Sequence, residues 1–210
     1  MNPVKQFYYN QAQVVINNMK KRNFEVYYVE NMEEAKVKLA ELLGEKKVIG
    51  YGGSETIDEN GVKDFLREKG HEFIVRENYK TAEERKELNA KLINADAFLM
   101  SSNAITIDGE LVNIDGACSR VAFLLYGPSE VYVIAGMNKV VSDLDSAIKR
   151  IKNTASPKNT VRLNKDTPCA KSGVCGDCYK DSICCSTVIT RMSRIPNRIK
   201  VILVGEELGY

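Results

Sequence analysis

Short apolar runs of strand length, each separated from the next by a segment of helical period, set the limits on how this chain folds. Phe24–Val29, Val48–Tyr51, Phe73–Val75, Ala97–Met100, Val131–Ala135 and Ile199–Val204 read as strands. Val4, Phe7, Tyr8, Ala12, Val15, Ile16 and Met19 recur at the spacing of one helix face. Met32–Leu43 continues the pattern and is stopped by Gly44, and a further helix covers Ile57–Lys69 up to Gly70. Thr81 with Glu84 forms a capping-box pair opening a helix to about Ile93. Arg120–Tyr126 is helical up to Gly127-Pro128, and Ser142 or Asp143 caps a helix to about Lys152. Strands alternating with helices predict an α/β fold whose mostly parallel sheet is covered on both faces, a three-layer αβα arrangement.

Two segments depart from this rhythm. Ile105–Ile107 and Leu111–Asn113 flank Asp108-Gly109-Glu110, a hairpin signal because Asp-Gly tolerates the positive φ of a tight turn. Residues 156–196 carry three prolines and five of the six cysteines, and read as a Cys-rich insertion within one domain spanning 1–210. No repeat or low-complexity stretch is present.

Thirty basic against 28 acidic residues leave a net charge of +2, without the clustered basic excess of a nucleic-acid surface. Met1–Arg22 has polar residues every few positions and therefore no apolar signal-peptide core. Val131–Ala135 and Val201–Val204 fall far short of the ~20 apolar residues of a membrane span. A cytoplasmic protein that contacts neither membrane nor nucleic acid is expected.

Candidate chemistry gathers at strand ends. Gly50-Tyr51-Gly52-Gly53-Ser54-Glu55-Thr56 joins a strand to a helix, and Gly53, Ser54 and Thr56 could bind an anion there. The same residues also suit a plain strand–helix turn. Ser101-Ser102-Asn103 ends another strand, and the hairpin leads through Asn113-Ile114-Asp115-Gly116 to Arg120. Arg120 suits a carboxylate or phosphate because its planar fork binds bidentately. The competing reading makes Asn113 and Asp115 turn formers and Arg120 an ion-pair partner.

Gly52-Gly53-Ser54-Glu55-Thr56, Asn94-Ala95-Asp96-Ala97, Ser102-Asn103-Ala104-Ile105-Thr106 and Gly109-Glu110-Leu111-Val112-Asn113-Ile114-Asp115-Gly116 resemble the lactate-utilisation (LUD) domain family. Arg120-Val121-Ala122, Ala135-Gly136-Met137-Asn138-Lys139 and Val204-Gly205-Glu206 extend the likeness over most of the chain. The resemblance implies a Rossmann-like core of the NagB/RpiA/CoA-transferase kind, whose wider group acts on anionic metabolites. It also implies a link to lactate use, in which some members carry iron–sulfur motifs. The family often has Gly-Asn-Arg where this chain has Cys118-Ser119-Arg120, so Arg120 is carried over and a ligand role for Cys118 is not.

Cys169-x5-Cys175-x2-Cys178-x5-Cys184 could hold a metal through four thiolates. One short Cys pair with looser outer spacing suits an iron–sulfur cluster slightly better than zinc, and free thiols are the third option. Cys185 is too close to Cys184 to share one site easily. A structural metal pinning an irregular segment fits the pattern better than catalysis.

Other residues count for less. His71, the only histidine, follows Gly70 and reads as a surface loop residue, which leaves a Ser-His-Asp or Cys-His mechanism little support. Glu59-Asn60-Gly61 looks like the glutamate motif of CoA transferases but falls at a helix start. Lys139 follows a buried strand and suits a solvated lysine as well as a ligand contact.

The leading expectation is a metabolic protein that binds a small anionic metabolite through Gly53, Ser54, Thr56, Asn103, Asn113 and Arg120. Asp115 is its acid/base candidate, and Cys169, Cys175, Cys178 and Cys184 hold a metal. The alternative is a redox or regulatory subunit whose cysteines carry an iron–sulfur centre and which meets an electron-transfer protein. No nucleotide cofactor is expected, and a homo-oligomer is compatible with either.

Overall fold

The computed structural model describes residues 2–176 and 178–210, so Met1 and, inside the Cys-rich segment, Asp177 lie outside the described residues. Helix α1 (Pro3–Lys20) is capped by the Asn2 side chain and leads to β1 (Glu25–Val29). Next come α2 (Met32–Leu43), capped by Asn31 and closed by Gly44 at φ 67°, and β2 (Val48–Tyr51). Two short helices follow, α3 (Glu55–Asp58) and α4 (Val62–Glu68), and then β3 (Glu72–Phe73). Helix α5 (Ala82–Ile93) carries the Thr81–Glu84 capping box in full and precedes β4 (Ala97–Met100). The hairpin β5 (Ala104–Thr106) and β6 (Leu111–Asp115) leads to α6 (Ser119–Leu125) and β7 (Glu130–Gly136). The chain closes with β8 (Val140–Val141), α7 (Leu144–Arg150), α8 (Ser156–Arg162), α9 (Pro168–Ser172), β9 (Ser186–Thr190) and β10 (Ile199–Val204).

Six strands form a parallel sheet in the order β1-β10-β7-β4-β2-β3. The pleat sends alternate residues to opposite faces. Phe98, Met100, Val131, Val133, Val201 and Leu203 meet α1, α5 and α6 on one face. Leu99, Tyr132, Ile134, Ile202 and Val204 meet α2, α3 and α4 on the other. The expected three layers are therefore present, and the near-continuous apolar strands follow from burial on both faces. No helix among the described residues is long and apolar enough to cross a membrane.

Local readings change in three places. The expected helix Ile57–Lys69 is broken, because Glu59-Asn60-Gly61 is a link in which Gly61 takes φ 64° and Asn60 Nδ2 donates to the Thr56 carbonyl at 3.0 Å. The glutamate motif thus lies between two helices, with Glu59 exposed. The helix expected to end near Lys152 runs on through a π-turn, Ile151–Ala155, into α8. Pro157 has no N–H to continue the regular ladder, which gives that switch its physical reason. Finally, Ser186–Thr190, inside the stretch expected to be irregular, adds as an antiparallel strand to β6. It completes a second sheet, β8-β5-β6-β9, that packs on α7 through Ala104, Val112, Ile114 and Ala147. The weak alternation of Ser-Thr-Val-Ile-Thr hides this strand, because backbone pairing with β6 rather than an apolar face holds it.

Leu99 is buried among α2-facing residues, whereas Val37 on α2 is exposed. Leu99→Ala should cost ~2–5 kcal/mol of unfolding free energy in a urea titration, by lost transfer energy and the cavity left behind. Val37→Ala should stay within ~0.5 kcal/mol.

Candidate functional site

Neighbouring strands β2 and β4 send their chains in opposite directions, β2 toward β3 and β4 toward β7. Such a switch point opens a crevice at the C-terminal strand ends. A cavity of about 250 Å³ lies there, with Gly53, Ser54 and Thr56 after β2, Ser101–Asn103 after β4 and Lys139 after β7 on its walls. Asp115 and Arg120 line it from β6 and α6. Six of the seven residues expected to bind or act on a ligand therefore share one cavity. The seventh, Asn113, is fully buried and holds Arg120 in place instead of lining the wall.

Arg120 organises this wall. Its Nε lies 3.2 Å from Asp115 Oδ2, and Nη1 donates to the Ser101 carbonyl at 3.1 Å and Asn113 Oδ1 at 2.6 Å. Nη2 donates to Asn103 Oδ1 at 3.0 Å and to the Ile114 carbonyl at 3.2 Å. A guanidinium has five N–H donors, and each of these has a protein partner. Arg120 thus acts on the cavity as a fixed charge and a brace. Asp115 is committed in the same way, since its Oδ1 accepts from the Cys118 N–H at 2.9 Å. Gly52 is needed beside them, because a Cβ there would lie 2.8 Å from Arg120 Cγ.

Lys139 was given no special weight by sequence, yet it is 2% exposed. Its Nζ donates to Thr56 Oγ1 at 2.9 Å and Ser101 Oγ at 3.1 Å. Burial, helped by the Arg150 and Arg120 guanidiniums, brings its pKa down to about 7. Position just after a central strand was the signal for it, outweighed by the usual solvation of lysine. Arg76, after β3, was missed altogether; it lines the cavity and makes one long contact, to Ser119 Oγ at 3.4 Å. Arg162 of α8 and Glu55 also line it, paired with each other at 3.1 Å.

His71 is buried, not a surface loop residue: its Nδ1 accepts from the Lys47 N–H at 3.2 Å, outside the cavity. Burial, and then Lys47, lower its pKa.

The cysteine segment lies against the same cavity. Ile183, next to Cys184, is on the wall, and Cys184 Sγ donates to the wall residue Ser156 at 3.2 Å. Burial raises the Cys184 pKa; Ser156 opposes this, while Cys178, Cys169 and Cys175 raise it further. Cys169 is buried and bonded to Thr160 at 3.3 Å and Thr167 at 3.4 Å. Among the described residues no three His, Cys, Asp or Glu side chains are gathered closely enough to hold a metal ion. Cys118 stands apart, at φ 60°, with its Sγ donating to Ser186 Oγ at 3.0 Å and so tying the start of α6 to β9.

The family model of the LUD domain matches residues 12–204. The chain belongs to the LUD domain family. A crystal structure of a DUF162 family protein from Deinococcus radiodurans has the same fold, with a TM-score of 0.54 at 13% identity. The match covers 95% of this chain and 98% of that one. No curated protein matches the chain.

In this LUD domain the buried lysine makes stability depend on pH in a definite sense. Its folded pKa of about 7 lies below the ~10.4 of an unfolded lysine, so between those values only the unfolded chain holds the proton. Folding stability should therefore gain from Lys139 deprotonation as pH rises through that window, and the full cost should apply below about 7. Urea midpoints of wild type and Lys139→Met at stepped pH should show a rise that the variant lacks.

Proposed function

We propose that this LUD domain binds a small organic anion in the cavity at the β2/β4 switch point and serves organic-acid metabolism, as the family's link to lactate utilisation suggests. The charge balance of the cavity wall carries this reading. Four basic side chains, Arg76, Arg120, Lys139 and Arg162, face two carboxylates, Glu55 and Asp115. Arg162 pairs with Glu55 and Arg120 with Asp115, which leaves Arg76 and Lys139 without a carboxylate among the described residues. Arg76, a guanidinium without a counter-charge, beside the hydroxyls of Ser54, Ser119 and Ser156, favours an anion. In this reading Ser54, Thr56 and Asn103 shape the site around Arg76. Arg120 and Asn113 brace it, and Asp115 positions Arg120.

Melting temperatures measured with lactate, pyruvate and other small acids should rise for wild type. The rise should shrink for Arg76→Ala, with affinity lower by roughly tenfold, as loss of a charged hydrogen bond predicts. Equal responses of the two proteins, or none from either, would sink the reading.

A second reading starts from Cys184, which bonds to Ser156 on the cavity wall and shares its segment with Cys169, Cys175 and Cys178. In it Cys169, Cys175, Cys178 and Cys184 hold an iron–sulfur cluster or zinc next to the ligand, and with a cluster the domain would serve an electron-transfer partner. Anaerobic purification followed by metal analysis should give a brown, iron-containing protein for the cluster and a colourless one with a single zinc for the structural site. A metal-free protein with titratable thiols would end this reading.

A further inference from the structure

We infer that Lys139 is a covalent site, whose buried amine forms a reversible imine with a small 2-oxo acid held in the cavity. The inference rests on the anion-binding reading and deepens it by naming a substrate class. Lys139 sits on the cavity wall, 2% exposed, and no carboxylate among the described residues lies within ion-pair reach of its Nζ. Its charged neighbours are instead the guanidiniums of Arg150 and Arg120, both of which disfavour an ammonium. Desolvation beside other cations is the setting in which lysine becomes a nucleophile.

The hydrogen bonds fit the neutral amine. A neutral amine has two N–H bonds and one lone pair. Thr56 Oγ1 and Ser101 Oγ accept from Nζ at 2.9 and 3.1 Å. The Thr56 hydroxyl donates its own proton to the Leu208 carbonyl at 3.3 Å, which keeps its oxygen an acceptor toward Lys139. With both N–H bonds engaged by these hydroxyls, the lone pair remains for the cavity.

An amine nucleophile calls for an electrophilic carbonyl carbon, and the unpaired Arg76 calls for an anion on the same molecule. A 2-oxo acid carries carbonyl and carboxylate on adjacent carbons. About 250 Å³ suits a molecule of that size, given that a water-sized group takes ~30 Å³. The amine lone pair attacks the carbonyl carbon and forms a C–N bond, while the C=O π pair moves to oxygen. That oxygen takes a proton and the nitrogen loses one, giving a carbinolamine. The carbinolamine takes up a proton and expels water, which leaves a protonated imine. Water reverses every step, and no oxidant or reductant takes part.

Sodium borohydride reduces an imine to a stable secondary amine, so the full chain is incubated with pyruvate and borohydride and analysed by intact mass and peptide mapping. The expected result is one adduct per chain, heavier by the acid less one oxygen atom and located on Lys139. It should be absent with lactate, which has no carbonyl, and absent from Lys139→Met. Peptide mapping of the wild-type protein locates the adduct even if that variant folds poorly. Adducts spread over surface lysines would overturn the inference. An Arg76-dependent melting shift with pyruvate, but no adduct, would remove the imine and leave the anion site standing. Neither shift nor adduct would remove both.

Discussion

A single buried guanidinium ties together the pieces from which the cavity is made. Arg120 leaves α6, passes over Gly52, and bonds to the ends of β4 and β6 through four hydrogen bonds and an ion pair. Burying a cation is costly unless each donor is satisfied, so its partners have little freedom. Asn113 and Asn103 are required to present carbonyl oxygens, Asp115 to present a carboxylate, and residue 52 to lack a side chain. Arg150 extends the brace by donating to the Asn103 carbonyl at 2.6 Å, which connects α7 to the same strand end. A wall so constrained is preorganised.

The contrast between Arg120 and Lys139 shows how one cavity can hold two cations in different states. Burial lowers the Arg120 pKa and the Asp115 carboxylate beside it opposes this, and a guanidinium keeps its charge in proteins. Lys139 has only hydroxyls, with guanidiniums nearby, and its charge is correspondingly easy to lose. In the proposed reading the unpaired Arg76 attracts an organic acid and the free amine of Lys139 reacts with it, while Arg120 holds the wall in shape.

The cysteine-rich segment belongs to this site more closely than its position in the chain suggests. Gly116, in the turn before α6, lies close under Ile183: a Cβ there would sit 3.2 Å from the Ile183 Cα and would require that backbone to give by a few tenths of an ångström. The Cys185 N–H donates to the Asp115 carbonyl at 3.1 Å, and β9 then pairs along β6.

By itself the sequence determined the layers. Strand-length apolar runs, helical periods, the caps at Thr81 and Asp143, and the Asp108-Gly109 turn are local signals, and local chemistry answers them. It also brought Gly53, Ser54, Thr56, Asn103, Asp115 and Arg120 to notice, because small polar residues at strand ends mark the ligand edge of a parallel sheet. Tertiary structure alone decided their roles. Whether Arg120 meets a ligand or the protein depends on Asn103, Asn113 and Ser101, residues 7 to 19 positions away. Whether Lys139 is solvated or buried depends on α3 and the C-terminal Leu208-Gly209-Tyr210 closing around Thr56, a contact across more than 150 residues. Charge state and donor satisfaction are set by the groups that surround a side chain, and spacing along the chain carries no record of them.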